Sequence, residues 1–206
     1  MPQSRRYKKK KSAGKAILAW IIVLAILAAA VFVFVSVFYE DTKKKLDEMN
    51  YPRTYSTYVE KAAKDYDLDP ALIYAVIHTE SGFDPKAESG VGAKGVMQMM
   101  PSSFERLQEQ RGCAGQYTED DLFDPEICID YGSYLLKYFY DYYGTERSAI
   151  AAYNAGFVVS DWLSDTNYSS DGKNLDSIPY PETENYVDKV ESAKEMYIKL
   201  YYSQSN

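Results

Sequence analysis

Between Ala16 and Tyr39 the chain runs 24 residues without a charged side chain, AILAWIIVLAILAAAVFVFVSVFY. A helix needs only about 20 apolar residues to span a bilayer, so this stretch is long enough to cross with some tilt. Residues 1–15, immediately before it, carry Arg5, Arg6, Lys8, Lys9, Lys10, Lys11 and Lys15 and no acid. A cleaved signal peptide is the rival interpretation, but its apolar core runs only about 7–15 residues before a small-residue cleavage site. Ala28 and Ala30 lie inside the apolar run with VFVFVSVFY still to follow, so an uncleaved anchor is the better reading. The basic block is expected to stay in the cytoplasm, which puts everything after Tyr39 on the outer side of a cell membrane as a single-pass protein.

Once the basic tail is set apart, the charge balance changes. Residues 16–206 hold 16 Lys and Arg against 30 Asp and Glu, a net of −14. Phosphate binding needs a basic footprint, so nucleic acid is excluded as a partner. A polymer gripped by such a surface is held mainly through neutral groups, and the 21 tyrosines offer flat apolar faces with a polar tip. Cys113 and Cys128 are the only cysteines. In an oxidising compartment the pair is expected to form a disulfide, with two free buried thiols as the alternative. One His and two spaced Cys cannot make a four-ligand zinc site, so no metal is expected, and no cofactor.

Beyond a charged juxtamembrane stalk at 40–53, the pattern is helical. Asp69-Pro70 and Asp124-Pro125 are cap-then-proline helix starts, and Gly82, Gly144 and Gly156 are stops. Tyr186, Val190, Ala193 and Tyr197 fall on one stripe of a last helix beginning near Pro181. Strand signals are thin, and residues 164–178 read as a polar loop. The expectation is a mainly α domain over 54–202.

Within that domain Glu80 stands in the last turn of an apolar helix, where the dipole, burial and a shortage of cations would all raise its pKa. A carboxylic acid that keeps its proton near neutrality can protonate a glycosidic oxygen. A surface glutamate at a frayed helix end is the plain alternative, and Glu80 alone does not decide against it. Its neighbours do: ESGF is followed in order by GAKGVMQMMP, AYNAG and PETENYV. Together these resemble the lytic transglycosylase domain of the soluble-lytic-transglycosylase (SLT) type, related to goose-type lysozyme, over roughly residues 54 to 200.

The resemblance implies a lysozyme-like helical fold with a substrate groove. It also implies a lyase acting on peptidoglycan glycan strands at the MurNAc–GlcNAc β-1,4 linkage, with 1,6-anhydro ends formed. Glu80 would be the catalytic acid and then base. Ser81 would orient that carboxylate or a sugar acyl group, and Met97 and Gln98 would line the groove. Tyr153 and Asn154 would contact the sugar, while Glu182 and Tyr186 would close the opposite wall, a structural role for Glu182 being equally open. A hydrolase on the same fold and a non-catalytic glycan-binding scaffold of an envelope machine are the alternatives. Glu184 and Phe157 depart from the family pattern, which often has Arg at the first position and Gly or Pro at the second. The sole histidine, His78, points away from Glu80's helix face and supports no Ser-His or Cys-His site.

Overall fold

The computed structural model describes residues 4–203, with side chains from residue 14 onward. It divides into two units, residues 1–50 and 51–206. The first is a single helix, α1 (Ser4–Asn50), which is unbroken from the basic block through the apolar run. At 1.5 Å per residue the uncharged stretch is about 36 Å long, slightly more than a hydrocarbon core. Among the described residues α1 is the one helix long and apolar enough to cross a membrane. The charged residues after Tyr39 continue the same helix, with Lys45 paired to Asp41 at 2.7 Å one turn back.

The second unit is built of helices, with no strand among the described residues. Its centre is α3 (Pro70–Ser81), preceded by α2 (Ser56–Tyr66). Asp69 caps α3 by accepting from the Ala71 N–H at 2.9 Å, and Pro70 takes the first helical position, where no amide is needed. Every residue from Ala71 to Ile77 is buried, so this helix is apolar on all sides and lies inside the fold. It ends at Gly82, whose φ of 59° is the left-handed conformation that closes a helix at low steric cost.

Around α3 pack α8 (Pro181–Tyr197) and α2, while α5 (Pro125–Tyr143) carries α6 (Glu146–Ala155) on its flank. Asp124 and Gly144 bound α5 as the sequence pattern predicts, and Thr145 and Gly156 bound α6. Two further helices, α4 (Pro101–Gln110) and α7 (Val159–Ser164), have no counterpart in the sequence-based reading. Ser164 closes α7, and the rest of the polar stretch, residues 165–178, is an irregular loop pinned by buried Leu175 and Ile178.

Residues 51–53 belong to this unit. Tyr197 and Tyr201 donate to the carbonyls of Pro52 and Tyr51 at 3.2 and 2.8 Å, and the Arg53 guanidinium lies over the Tyr74, Tyr201 and Tyr202 rings. The tyrosines therefore serve the core and this N-terminal segment as well as the surface. His78 packs on Tyr51, with ring centroids 4.8 Å apart, and on Phe83 and Tyr197.

Candidate active site

Glu80 lies in the last turn of α3, where the helix leaves the core. Its carboxylate accepts one side-chain hydrogen bond, from the Tyr186 hydroxyl of α8 at 2.7 Å. Burial pushes its pKa from the ordinary 4.5 up to about 7, and the Tyr186 hydrogen bond opposes part of that rise. No cation contributes to the balance. Tyr186 and Tyr153 are themselves held well above the usual phenol value by burial, with the Glu80 charge acting in the same direction. Both are therefore neutral hydroxyl donors at neutral pH.

The segment after α3 folds back as a tight loop that forms the site's floor. Lys94 pairs with Glu88 and with Met99 in isolated antiparallel bridges, and its ammonium reaches Glu119 and Asp120, each at 3.2 Å. Gly95, at φ 76°, runs so close to the Leu122 carbonyl that any Cβ would collide with it. Gln98 also takes a left-handed conformation, φ 46°, unusual for a residue with a side chain. It is held there by its own amide, which donates to the Ala87 and Gly95 carbonyls, both at 3.0 Å.

These contacts correct the expected roles of Ser81, Met97 and Glu182 and narrow that of Gln98. The Ser81 hydroxyl does not reach for the carboxylate: it donates to the Val96 carbonyl at 2.8 Å and accepts from the Phe83 N–H at 3.1 Å, clipping the loop to the end of α3. The Met97 side chain is fully buried against Gly132 of α5 instead of lining a groove, and only its carbonyl serves the site, accepting from Tyr153 at 2.9 Å. Both partners of the Gln98 nitrogen are carbonyls, so its donors are committed and only the amide oxygen is left for a ligand. Glu182 is exposed in the first turn of α8, where an acid suits the helix dipole. It sits one position off the inward stripe of Thr183 and Tyr186, so it does not face Glu80.

The expected disulfide is also absent. Cys113 and Cys128 are both free thiols. Cys128 is buried under the loop, accepting from the Met97 N–H at 3.4 Å and donating to the Lys94 carbonyl at 3.8 Å. Cys113 instead meets the Tyr131 hydroxyl at 3.2 Å. The two sulfurs thus serve different neighbours, and the apolar setting raises the Cys128 pKa to about 12.

Tyr153 and Asn154 stand at the end of α6, as the sequence suggests. The Asn154 amide oxygen accepts from the Thr183 hydroxyl at 2.7 Å, tying α6 to α8 one turn before Tyr186. Thr183 was not singled out from the sequence, although it lies within the PETENYV motif. From Tyr153 and Asn154 an open groove of about 510 Å³ runs past Met100, Arg106 and Phe157. Among the described residues no group of three or more His, Cys, Asp or Glu could hold a metal ion.

The arrangement is a single, partly buried carboxyl group, poised to hold a proton near neutrality and flanked by two neutral phenols, one of which, Tyr153, also lines the groove. Residues 57–175 match the Transglycosylase SLT domain family. The soluble lytic murein transglycosylase of Escherichia coli K12 is 32% identical over 146 residues, covering 69% of this chain and 23% of that protein. The membrane-bound lytic murein transglycosylase C of Actinobacillus succinogenes is 31% identical over 170 residues, covering 72% of this chain and 48% of its own length. Among solved structures, the 70 kDa soluble lytic transglycosylase of E. coli superposes with a TM-score of 0.67 at 28% identity over 77% of this chain and 26% of that one. An inactive Glu-to-Gln mutant of the lytic transglycosylase Slt from Pseudomonas aeruginosa gives 0.65 at 30% identity over 74% of this chain and 25% of that one. The chain thus spans about a quarter to a half of the length of these relatives. With the family match covering more than half of its residues, the chain belongs to the Transglycosylase SLT domain family.

Proposed function

We propose that the protein is a membrane-anchored lytic transglycosylase that cleaves the MurNAc–GlcNAc β-1,4 linkage of peptidoglycan and leaves 1,6-anhydro-MurNAc ends. The observation that carries this reading is Glu80, a partly buried carboxyl with its pKa raised to about 7 and a phenol as its side-chain hydrogen-bond partner. The names of the relatives support the substrate class, and inactivity of one relative as a Glu-to-Gln variant fits dependence on one glutamate.

In the proposed reaction Glu80 gives its proton to the glycosidic oxygen as the C1–O bond breaks, and the substrate's 2-acetamido oxygen supports the developing charge at C1. The Glu80 carboxylate then removes the proton from the same sugar's 6-hydroxyl, whose oxygen bonds to C1. Glu80 ends protonated, as it began, and no water is consumed. A single group serves as acid and base in turn, so its pKa must lie near working pH. The Tyr186 hydroxyl fixes the carboxylate and stabilises it while it is charged. Asp84, the acid nearest in sequence to Glu80 and the base a hydrolase reading would call on, is exposed and accepts from the Lys86 N–H at 2.9 Å, the posture of a turn residue.

The anchor in this reading is residues 16–39 of α1, with residues 1–15 cytoplasmic and the domain at 54–202 outside. An apolar helix behind a basic block supports it, as do relatives named membrane-bound. Protease added to intact cells should remove the second unit and spare α1. Protection of both would contradict the orientation.

Mass spectrometry of products from the full chain in detergent, acting on purified peptidoglycan, tests the chemistry. Products lighter than hydrolysis products by one water are expected. Reducing ends would make the protein a hydrolase, and intact glycan would leave a binding protein.

A further inference from the structure

The turn that follows Glu80 is a costly one to hold. Gly82 and Phe83 both take left-handed conformations, with φ of 59° and 72°, and Phe83 carries a Cβ, for which that region is crowded. The Phe83 ring is buried against Tyr55, Tyr74 and His78, with centroids 6.5, 6.4 and 6.3 Å away. Its N–H donates to the Ser81 hydroxyl at 3.1 Å, and its carbonyl accepts a long hydrogen bond from the Tyr55 hydroxyl at 3.3 Å. Tyr55 therefore grips the turn with both ring and hydroxyl, from 28 residues away in sequence.

Tyr55 is itself fixed from the N-terminal side. It too is left-handed, φ 63°, and its carbonyl accepts from the Tyr58 and Val59 N–H groups, both at 3.0 Å, which starts α2. Two residues earlier Arg53 pairs with Glu60 at 2.5 Å, and Tyr51 and Pro52 are held by Tyr201 and Tyr197. Burial raises the Tyr55 phenol above its ordinary value, with the Asp84 charge acting in the same direction, so it is a neutral donor at neutral pH. Residues 51–55 all precede the stretch 57–175 that matches the family. The Glu80 carboxyl is faced by Tyr186 from α8, Tyr153 from α6 and the Cys128 thiol from α5. Tyr55 is not in that ring of groups, so its influence reaches Glu80 through the end of α3.

We propose that Tyr55 is a positioning residue for Glu80: by holding the Phe83 carbonyl and ring it fixes the turn that closes α3, which keeps the carboxyl shielded from water and within reach of Tyr186. The proposal rests on the role given to Glu80 above. It makes the segment between α1 and α2 part of the support of the site. Loosening the turn lets water reach the carboxyl, which weakens the burial effect and brings Glu80 back toward an ordinary glutamate.

The test uses the full chain in detergent. Tyr55→Phe removes the hydroxyl, Tyr55→Leu removes the ring as well, and Tyr58→Phe, one turn into α2, is the control. Each is made with and without Glu80→Gln. The gain in denaturation midpoint that Glu80→Gln brings between pH 5 and pH 8 reports how far the fold raises Glu80, with no substrate present. That gain should shrink in Tyr55→Phe, shrink further in Tyr55→Leu and keep its wild-type size in Tyr58→Phe. With purified peptidoglycan, kcat of Tyr55→Phe should fall about three- to tenfold at unchanged KM, the scale of one hydrogen bond. The alkaline limb of its pH–rate profile should move down by roughly half a unit. A role in folding alone would lower every midpoint and move neither the limb nor the gain. A gain that is unchanged in both Tyr55 variants, or that shrinks equally in Tyr58→Phe, overturns the proposal. If the unmutated chain cuts no peptidoglycan, the function proposed above fails, while the gain still decides the role of Tyr55.

Discussion

The Tyr186 hydroxyl donates to the Glu80 carboxylate at 2.7 Å, joining the first turn and a half of α8 to the last turn of α3. This hydrogen bond favours the charged form of Glu80 and so opposes the burial that raises its pKa. Tyr186→Phe removes the donor and leaves the ring's packing in place. Glu80 should then titrate above about 7, moving the alkaline limb of the pH–rate profile upward. Peak turnover should fall by roughly tenfold or more, the range of a hydrogen bond to a charged group. A pH–rate profile that superposes on wild type would contradict the role assigned to Tyr186.

The raised pKa also makes a stability prediction. Below the ordinary value of 4.5 Glu80 is neutral whether folded or unfolded, and it costs the fold nothing electrostatically. As pH climbs from there to about 7 the unfolded chain ionises first, so the folded state loses ground, and the loss is complete above that point. Glu80→Gln is free of this penalty. Its stability relative to wild type should therefore grow between pH 5 and pH 8, by about 3 kcal/mol at most. Denaturation midpoints measured for both proteins at the two ends of the range check this. A constant difference would contradict the burial assigned to the carboxyl.

Loop geometry beneath the site predicts an order among glycine substitutions. At Gly95 a Cβ would meet the Leu122 backbone carbonyl and be strained by a φ of 76°. At Gly132 it would meet the Met97 sulfur at 2.5 Å and the Met97 Cβ at 3.0 Å, side-chain atoms instead of backbone, and with no left-handed φ to strain it. Gly95→Ala should cost several kcal/mol. Gly132→Ala should cost about 1–3 kcal/mol. Thermal melts give the ranking, and the reverse order would contradict the loop's conformation.

The two thiols should stay reduced in the isolated protein. Intact mass should be the same with and without reductant. Alkylation of the native protein should mark half-buried Cys113, with Cys128 reacting only after unfolding. A native mass lighter by two hydrogens would contradict the unbridged arrangement.

Much of the scaffold was legible in the sequence because its signals are local. Asp69-Pro70 and Gly82 bracket α3, and Asp124-Pro125 and Gly144 bracket α5, through caps that act within a few residues. Helix α4 escaped because Met100 offers no side-chain cap and only Phe104, Leu107 and Gln108 turn inward. The site divides along the same line. Tyr186 meets Glu80, Tyr153 meets the Met97 carbonyl and Asn154 meets Thr183, contacts that join α8, α3, α6 and the loop after α3. Ser81, Met97 and Glu182 carry the same motifs, but which way each side chain faces depends on partners distant in sequence. Ser81 is claimed by Val96, and Met97 by Gly132. Glu182 misses the interior by one step of the helix while Thr183 takes the inward place. The cysteines fail for a similar reason: an even count marks a candidate pair, while Cys128 is committed to the backbone of the 94–97 segment.

The central claim is that Glu80 carries the proton on which cleavage depends, and one comparison tests it most directly. Full-length wild type and Glu80→Gln are matched in folding by circular dichroism and incubated with the same purified peptidoglycan, and the initial rate of soluble muropeptide release is measured for each. Gln keeps the shape and an oxygen that can still accept from Tyr186, but it has no proton to transfer. Release should fall by about 10²–10⁴-fold, or further because the same group acts twice. A Glu80→Gln protein that releases muropeptides at the wild-type rate would contradict the account of the site.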